Sequence, residues 1–157
     1  MDITIDVKDY KLNVRSAGVI IHNGKILLHR NVNSGHYALI GGRVEIGESS
    51  TDTIKREIKE ELGKDIKITG YISTIENFFE INGSKYHEIM FVHKIEFTNE
   101  EDQKIEYTMQ NIEGKEYLQY EWIDLDIIDE YQLLPKAMKD VLKENRFPVH
   151  KINNELK

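Results

Sequence analysis

The stretch GGRVEIGESSTDTIKREIKEEL, from Gly41 to Leu62, decides how the rest of this chain is interpreted. Two adjacent glycines precede a segment in which apolar residues recur at every fourth position, a pattern that predicts a turn followed by an amphipathic helix. Ser49 and Ser50 are suited to cap the start of this helix, and Gly63 is suited to cap its end. We therefore predict a helix between these caps.

The predicted helix carries three glutamates, Glu57, Glu60 and Glu61, on one side. At about 100° of rotation per residue, they fall within about 100° of one another and form one stripe. On the helical wheel Glu61 lies next to Ile54, so the stripe borders the apolar seam. Acidic stripes are usually solvated, but carboxylates beside a buried seam repel one another and raise each other's pKa unless a cation is bound. The position of this stripe favours the cation.

Composition limits the kind of protein that this chain can be. Its 157 residues are enough for one domain with a sizeable core, and we predict a single domain over 1–157. The chain has no cysteine, which excludes disulfides and thiolate sites, so a metal would be held by oxygen or imidazole. Neither a leader pattern nor a membrane-length apolar run is present, so we expect a cytoplasmic protein without a membrane partner. The net charge of −7 argues against an extended nucleic-acid surface.

Two turn signals predict hairpins on either side of the helix. Nearly continuous apolar residues flank Asn23-Gly24, which predicts a hairpin over residues 12–30. Asn82-Gly83 predicts a second hairpin, between strands at 66–81 and 85–97. The strands on both sides of the helix are expected to share one sheet.

The remainder of the chain predicts one more strand and one more helix. Trp122 lies in a short apolar run that predicts the last strand, and Pro135 is suited to open a second helix. The polar residues 146–157 are expected to form a flexible tail. These elements together predict an α/β chain of the α+β type, with helices packed on one mixed sheet.

The spacing of residues in the central stretch resembles the Nudix box of the Nudix hydrolase family. Gly42 is followed after five residues by Glu48, and after seven more by the run Arg56-Glu57-Ile58-Lys59-Glu60-Glu61-Leu62-Gly63. The chain departs from the box at Lys64, where an aliphatic residue is usual, and it lacks the tryptophan and proline that many members carry before the glycines. Neither departure changes a carboxylate. The resemblance implies an α/β/α sandwich with a mixed sheet.

The same resemblance implies an activity and its cofactor. Nudix hydrolases cleave a nucleoside diphosphate linked to another group X, by attack of water on one phosphorus. Mg²⁺ or Mn²⁺ is the implied cofactor, since these ions prefer oxygen ligands and lower the pKa of a bound water. The implied partner is a small phosphorylated substrate, a nucleotide by default, and a homodimer is a further expectation. The substrate and the number of ions are left open.

The resemblance assigns roles to the acidic residues of the box. Glu60 and Glu61 are expected to be metal ligands, and Glu57 is expected to be either a ligand or the general base. The carbonyl of Gly41 is expected as a further ligand, because a residue without Cβ lets the backbone approach an ion. Some members add a carboxylate from a later loop, and the positions that would supply it here are Glu113, Glu116 and Glu121, each of which is alternatively a surface residue.

The remaining residues of the box are expected to support the catalytic acids. Arg56 and Glu48 are expected to pair and fix the loop against the helix, and Arg56, counted with the catalytic residues, alternatively orients Glu57. Gly42 and Gly63 are expected to shape the two ends of the motif.

Three residues are candidates for binding the substrate. Arg43 is positioned to reach a phosphate or else to be exposed, while Tyr37 and Phe79 are candidates to stack on a base or else to belong to the core. The main alternative to an enzyme is a Nudix-like sensor that binds a nucleotide without cleaving it. Sensors of that kind usually lose box acids, whereas this chain keeps all of them.

Overall fold

The computed structural model of the protein describes residues 1–103 and 109–156. Its strands are β1 (Thr4–Val7), β2 (Tyr10–Val19), β3 (Ile21–His22), β4 (Lys25–Asn31), β5 (Tyr37–Arg43), β6 (Ile66–Ile81), β7 (Ser84–Phe97), β8 (Met109–Gln110), β9 (Leu118–Asp124), β10 (Leu133–Leu134) and β11 (Val149–Asn154). Its helices are α1 (Ser50–Leu62), α2 (Glu100–Gln103) and α3 (Ala137–Leu142), with a 3₁₀ helix at Leu125–Glu130. The main order in the sheet is β11-β6-β7-β2-β5-β4-β9-β8.

Helices cover both faces of this mixed sheet, and each face has its own apolar core. Ile58 of α1 belongs to one buried cluster, and Met138 of α3 belongs to the other. Adjacent residues of one strand, such as Leu27 and Leu28, fall in different clusters, as expected for a strand that is covered on both sides. The predicted α+β class and the layered arrangement are confirmed.

The signals that predicted α1 are confirmed at both ends. The helix spans Ser50–Leu62, and the Ser49 side chain accepts a hydrogen bond from the backbone N–H of Asp52 at 3.1 Å. At the other end Gly63 adopts a φ of 69°, which is unfavourable for residues with a Cβ, and its N–H donates to the carbonyl of Lys59 at 2.9 Å. The helix that carries the glutamates is thus fixed by its own caps.

The predicted hairpin over residues 12–30 is only partly correct. The Asn23-Gly24 turn forms, with φ values of 51° and 73°, but it joins β4 to the two-residue β3. β2 instead pairs in parallel with β7 and antiparallel with β5. A tight turn determines the pairing of its nearest residues only, and the long apolar β2 gains hydrogen-bonded partners on both edges by leaving the hairpin. The second hairpin is confirmed, with Asn82-Gly83 joining β6 to β7.

The polar pattern after residue 145 predicts a flexible tail, but Val149–Asn154 form β11. This strand runs parallel to β6, where it pairs with residues 73–78. Its sequence looks polar because it lies at an edge of the sheet: Ile152 is 63% exposed, whereas Asn153 is 7% exposed and points inward. Within the residues described, no helix is both long and apolar enough to cross a bilayer.

A row of buried polar side chains crosses four adjacent strands. Asn13 and Asn77 each donate a hydrogen bond from Nδ2 to the carboxylate of Glu88, at 3.3 Å. Asn153 donates to Oδ1 of Asn77 at 2.9 Å, and its own Oδ1 accepts from the backbone N–H of Ala137 at 3.1 Å. The row therefore links β2, β7, β6 and β11 to the start of α3.

Candidate active site

The three glutamates of α1 differ sharply in their exposure. Glu61 is 3% exposed, the Glu57 side chain is 13% exposed, and the Glu60 side chain is 44% exposed. The gradient follows their angular distance from the apolar seam at Ile54 and Ile58, both of which are fully buried. Two of the three carboxylates have therefore lost much of their contact with water, while the third keeps it.

The paired glycines let β5 approach α1 and β2 closely. A Cβ on Gly42 would overlap the carboxylate of Glu57, and a Cβ on Gly41 would overlap the backbone of Ser16 in β2. Each position therefore tolerates only hydrogen at Cα. Gly42 and Glu57 pack directly on one another, so the paired glycines and the acidic stripe meet. The turn predicted at these glycines is wrong, because Gly41 and Gly42 lie within β5 and pair with Ala17 and Ser16 of β2.

Arg56 lies at the centre of a network of charged groups. Its Nε and Nη2 donate to the two oxygens of Glu48 at 2.8 and 3.0 Å, and its Nη2 also donates to the carbonyl of Arg43 at 3.1 Å. Its Nη1 donates to Glu57 at 2.8 Å and to Glu60 at 3.2 Å. The structure thus contains both of the contacts that the sequence offered as alternatives, since Arg56 holds the loop and also contacts Glu57.

This network has a clear effect on Glu48. Hydrogen bonds from Arg56 lower the pKa of Glu48 to about 2, and further hydrogen bonds from the Thr53 hydroxyl and the Glu45 backbone act in the same direction. The carboxylates in turn raise the pKa of Arg56 above its ordinary value. Glu48 is therefore ionised across the physiological range and stays paired with Arg56.

Glu61 has the opposite environment. Burial, followed by the negative charge of Glu57, raises the pKa of Glu61 to about 8. Its Oε2 is buried and has no hydrogen-bond partner among the described residues, while its backbone carbonyl accepts from the N–H of Ile112 at 2.9 Å. Burial also raises the pKa of Glu57, with the Arg56 contacts opposing the rise. Glu61 is thus a buried acid with an unused oxygen.

The donor atoms suit a hard divalent ion, although they are not gathered around one point. Across residues 1–103 and 109–156, no group of three acidic or histidine side chains has the arrangement of a metal site. Glu57 and Glu60 are instead engaged by Arg56, and Glu61 keeps an unpaired oxygen. An unpaired carboxylate oxygen beside two further carboxylates is the donor set that Mg²⁺ and Mn²⁺ prefer. The residues therefore fit such an ion in chemistry.

The three candidate substrate residues lie in different surroundings. Tyr37 is 8% exposed, and its hydroxyl donates to Glu121 at 3.0 Å. Phe79 stacks on Tyr86 with ring centroids 4.8 Å apart. Arg43 is exposed at the end of β5, directly after the glycines.

The three downstream carboxylates, Glu113, Glu116 and Glu121, also lie in different surroundings. Glu121 accepts the hydroxyl of Tyr37, and one of its oxygens lies 3.9 Å from Nη1 of Arg30. Glu113 is the one whose charge acts on the buried acid, where it adds to the rise in the pKa of Glu61 after burial and Glu57. Glu116 is exposed. Of the three, Glu113 is electrostatically coupled to the acidic stripe.

Two residues near Glu61 were not predicted from the sequence. Tyr120 is fully buried beside α1, and its hydroxyl accepts a hydrogen bond from Nδ2 of Asn111 at 2.8 Å. Burial and then the charge of Glu61 raise the pKa of Tyr120 above its ordinary value. The sequence signal for Tyr120 was its place in the apolar run before Trp122, but the alternation of a strand does not show that a tyrosine faces an acid.

Gly42→Ala is expected to lower activity by about tenfold or more and stability by about 1–3 kcal/mol, because the new methyl group displaces the Glu57 carboxylate. Steady-state kinetics and thermal unfolding measure the two effects. Gly70→Ala is the matched control, since a Cβ there meets its nearest atom, in Lys94, at an ordinary 3.5 Å. Equal behaviour of the two variants would contradict the close packing of Gly42 on Glu57.

A family profile and two curated relatives are similar to this chain in sequence. The family profile described as NUDIX domain matches residues 12–144. An RNA pyrophosphohydrolase of Ruthia magnifica subsp. Calyptogena magnifica is 26% identical over 175 residues, covering 96% of this chain and 92% of the relative. An ADP-ribose pyrophosphatase of Methanocaldococcus jannaschii is 43% identical over 65 residues, covering 37% of this chain and 38% of the relative.

Solved structures agree on the fold. A NUDIX hydrolase from Nitrosomonas europaea superposes with a TM-score of 0.65 at 14% identity, covering 91% of this chain and 79% of that one. A MutT NUDIX hydrolase from Burkholderia pseudomallei gives a TM-score of 0.61 at 21% identity, covering 86% and 98%. At these identities the likeness concerns the arrangement of helices and strands.

Proposed function

This chain belongs to the Nudix family and is a pyrophosphohydrolase, and from that premise we propose that it uses a divalent metal ion to cleave a phosphoanhydride bond. The proposed substrate is a small nucleoside diphosphate linked to another group, attacked by water at phosphorus. The net charge of −7 supports a small ligand that brings its own cations over a long polyanion.

The unpaired oxygen of Glu61 is the observation that carries the proposal. An acid that is 3% exposed and has one oxygen without a partner is costly to the fold, and a bound cation would offset that cost. Glu57 lies on the same stripe against Gly42, and Glu60 lies at its exposed end. These three acids would hold the ion, with the Gly41 carbonyl as a further proposed ligand.

Within this proposal each residue has a separate task. A bound divalent ion would neutralise phosphate charge and favour ionisation of the attacking water. Arg56 holds Oε1 of Glu57, while Oε2 accepts no hydrogen bond from the described residues and would either bind the ion or take the proton from water. Glu48 keeps Arg56 in place through two hydrogen bonds. Glu113 is the downstream carboxylate best placed to act together with Glu61.

The test is hydrolysis of a defined panel with Mg²⁺ and with EDTA. The panel contains ADP-ribose, a nucleoside triphosphate, a nucleotide sugar and an RNA oligonucleotide with a 5′-triphosphate, and the products are separated by anion-exchange chromatography. We expect cleavage of at least one small nucleotide with Mg²⁺ and none with EDTA. Tight binding of a nucleotide without any cleavage would instead establish the sensor alternative. Cleavage that persists in EDTA would contradict the metal dependence.

A further inference from the structure

Two arginines face each other across adjacent strands beside the paired glycines. In the antiparallel pairing of β2 with β5, Arg15 lies directly opposite Arg43. Directly opposed residues of antiparallel strands project from the same face, and like charges in that position destabilise the sheet. Arg15 is half-buried, which reduces the screening of its charge by water. The pair is therefore unfavourable as it stands.

Neither guanidinium forms an ion pair within the part of the chain that the structure describes, although the charge of Arg15 acts on Glu57 and Glu61 from a longer distance. Within residues 1–103 and 109–156, no carboxylate forms an ion pair with Arg15 or with Arg43. Arg56 of α1, by contrast, forms ion pairs with four glutamates, Glu45, Glu48, Glu57 and Glu60. Carboxylates are abundant in this protein, so the two unpaired arginines are available for an anion from outside.

The pair lies next to the proposed reaction site. The two following register pairs of β2 and β5 are Ser16 with Gly42 and Ala17 with Gly41. The carbonyl of Arg43 accepts a hydrogen bond from Arg56, so its backbone is tied to the residue that holds the glutamates. The charge of Arg15 also reaches the stripe, where it opposes the rise in the pKa of Glu61 that burial causes.

We propose that Arg15 and Arg43 together bind a phosphate group of the substrate, next to the phosphorus that water attacks. This inference rests on the proposed hydrolysis of a phosphoanhydride and adds the residues that hold the substrate's charge. Guanidinium groups suit this role because their planar donors match phosphate oxygens in pairs. An anion between the two arginines also removes the repulsion that the register creates.

The direct test is binding of inorganic pyrophosphate in the presence of Mg²⁺, measured by isothermal titration calorimetry. Arg15→Gln and Arg43→Gln are each expected to weaken binding by about tenfold, the loss of one charged contact. Arg146→Gln is the matched control, because it removes the same charge from an exposed position between α3 and β11, and it is expected to bind like wild type. Arg43 is also exposed, so its variant is expected to fold normally.

Thermal unfolding without anion separates binding from a structural role. Removing Arg43 relieves the repulsion, so the thermal midpoint of Arg43→Gln is expected to stay equal or rise. Removing Arg15 relieves the same repulsion but also removes a favourable charge near Glu57 and Glu61, so the midpoint of Arg15→Gln is expected to change little. A lower midpoint with unchanged pyrophosphate affinity in both variants would overturn the inference. If no nucleotide is hydrolysed but pyrophosphate binding still depends on both arginines, the proposed function fails and this site stands. If hydrolysis occurs and pyrophosphate binding is the same in all variants, this site alone is refuted.

Discussion

Glu61→Gln is expected to abolish most of the hydrolytic activity and, in the absence of metal, to raise the thermal midpoint. Loss of a ligand that stabilises several kcal/mol of developing charge corresponds to a fall of about a thousandfold in kcat. Burial raises the pKa of Glu61 from 4.5 to about 8, so folding at neutral pH without metal requires this side chain to take up a proton. The midpoint rises because the amide of Gln is neutral at every pH and removes that cost. A gain of about 1 kcal/mol corresponds to about 2–4 °C for a chain of this size.

Glu60→Gln provides the contrast that makes this expectation specific. Glu60 is 44% exposed and contacts Arg56 at 3.2 Å. Neutralising Glu60 therefore relieves little carboxylate repulsion and removes one ion pair. Its midpoint in EDTA is expected to be unchanged or slightly lower, while its activity still falls if it binds the metal. Full activity of Glu61→Gln, or a midpoint below that of wild type in EDTA, would refute the role assigned to Glu61.

Arg56→Gln is expected to lower both stability and activity, for two separable reasons. It leaves the partly buried Glu48 without its main partner, which costs about 2 kcal/mol or more. The substitution also releases Glu57, whose Oε1 accepts a hydrogen bond from Nη1 of Arg56 at 2.8 Å in the wild type. Arg56→Lys is not expected to restore activity, because one ammonium group cannot reproduce contacts with both carboxylates. Thermal unfolding and steady-state kinetics measure the two losses.

The double variant Glu48→Gln/Arg56→Gln distinguishes these two causes. It is expected to regain part of the lost stability, since Glu48 no longer carries an unpaired charge, but to remain inactive because Glu57 still lacks the Arg56 contact. Recovery of activity in the double variant would show that Arg56 acts through the loop alone. The pKa of Glu48 is lowered from 4.5 to about 2, so its stabilising contribution is complete above pH 4.5 and is lost as pH falls. The stability difference between wild type and Arg56→Gln is expected to shrink over that acidic range.

The helix and its charged stripe were predictable because their determinants are local. Ser49 and Gly63 cap α1 through contacts with residues three or four positions away. The position of Glu61 beside the apolar seam followed from helical rotation alone, and no tertiary information was needed for it. The contact of Glu57 with Gly42 was not predicted, because it depends on how β5 packs against α1.

The features that were missed depend on which distant strands become neighbours. Arg15 faces Arg43 only because β2 leaves the predicted hairpin and pairs with β5. β11 was not predicted for a related reason. In this edge strand only every second side chain points inward, and the inward Asn153 is polar, so the sequence carries little apolar signal. Periodicity reports which face a residue occupies, whereas its partner on that face is decided by the sheet order.

The buried amide row has a consequence for how copies of this protein behave toward one another. Sliding β11 by one residue would turn Asn153 outward and Ile152 inward, leaving Oδ1 of Asn77 and the N–H of Ala137 without their present partners. Each buried group without a partner costs about 1–3 kcal/mol. A strand from a neighbouring copy could pair at the edge of β6 only if it presented an amide at the same position. The row therefore disfavours replacement of β11 by a strand from another copy.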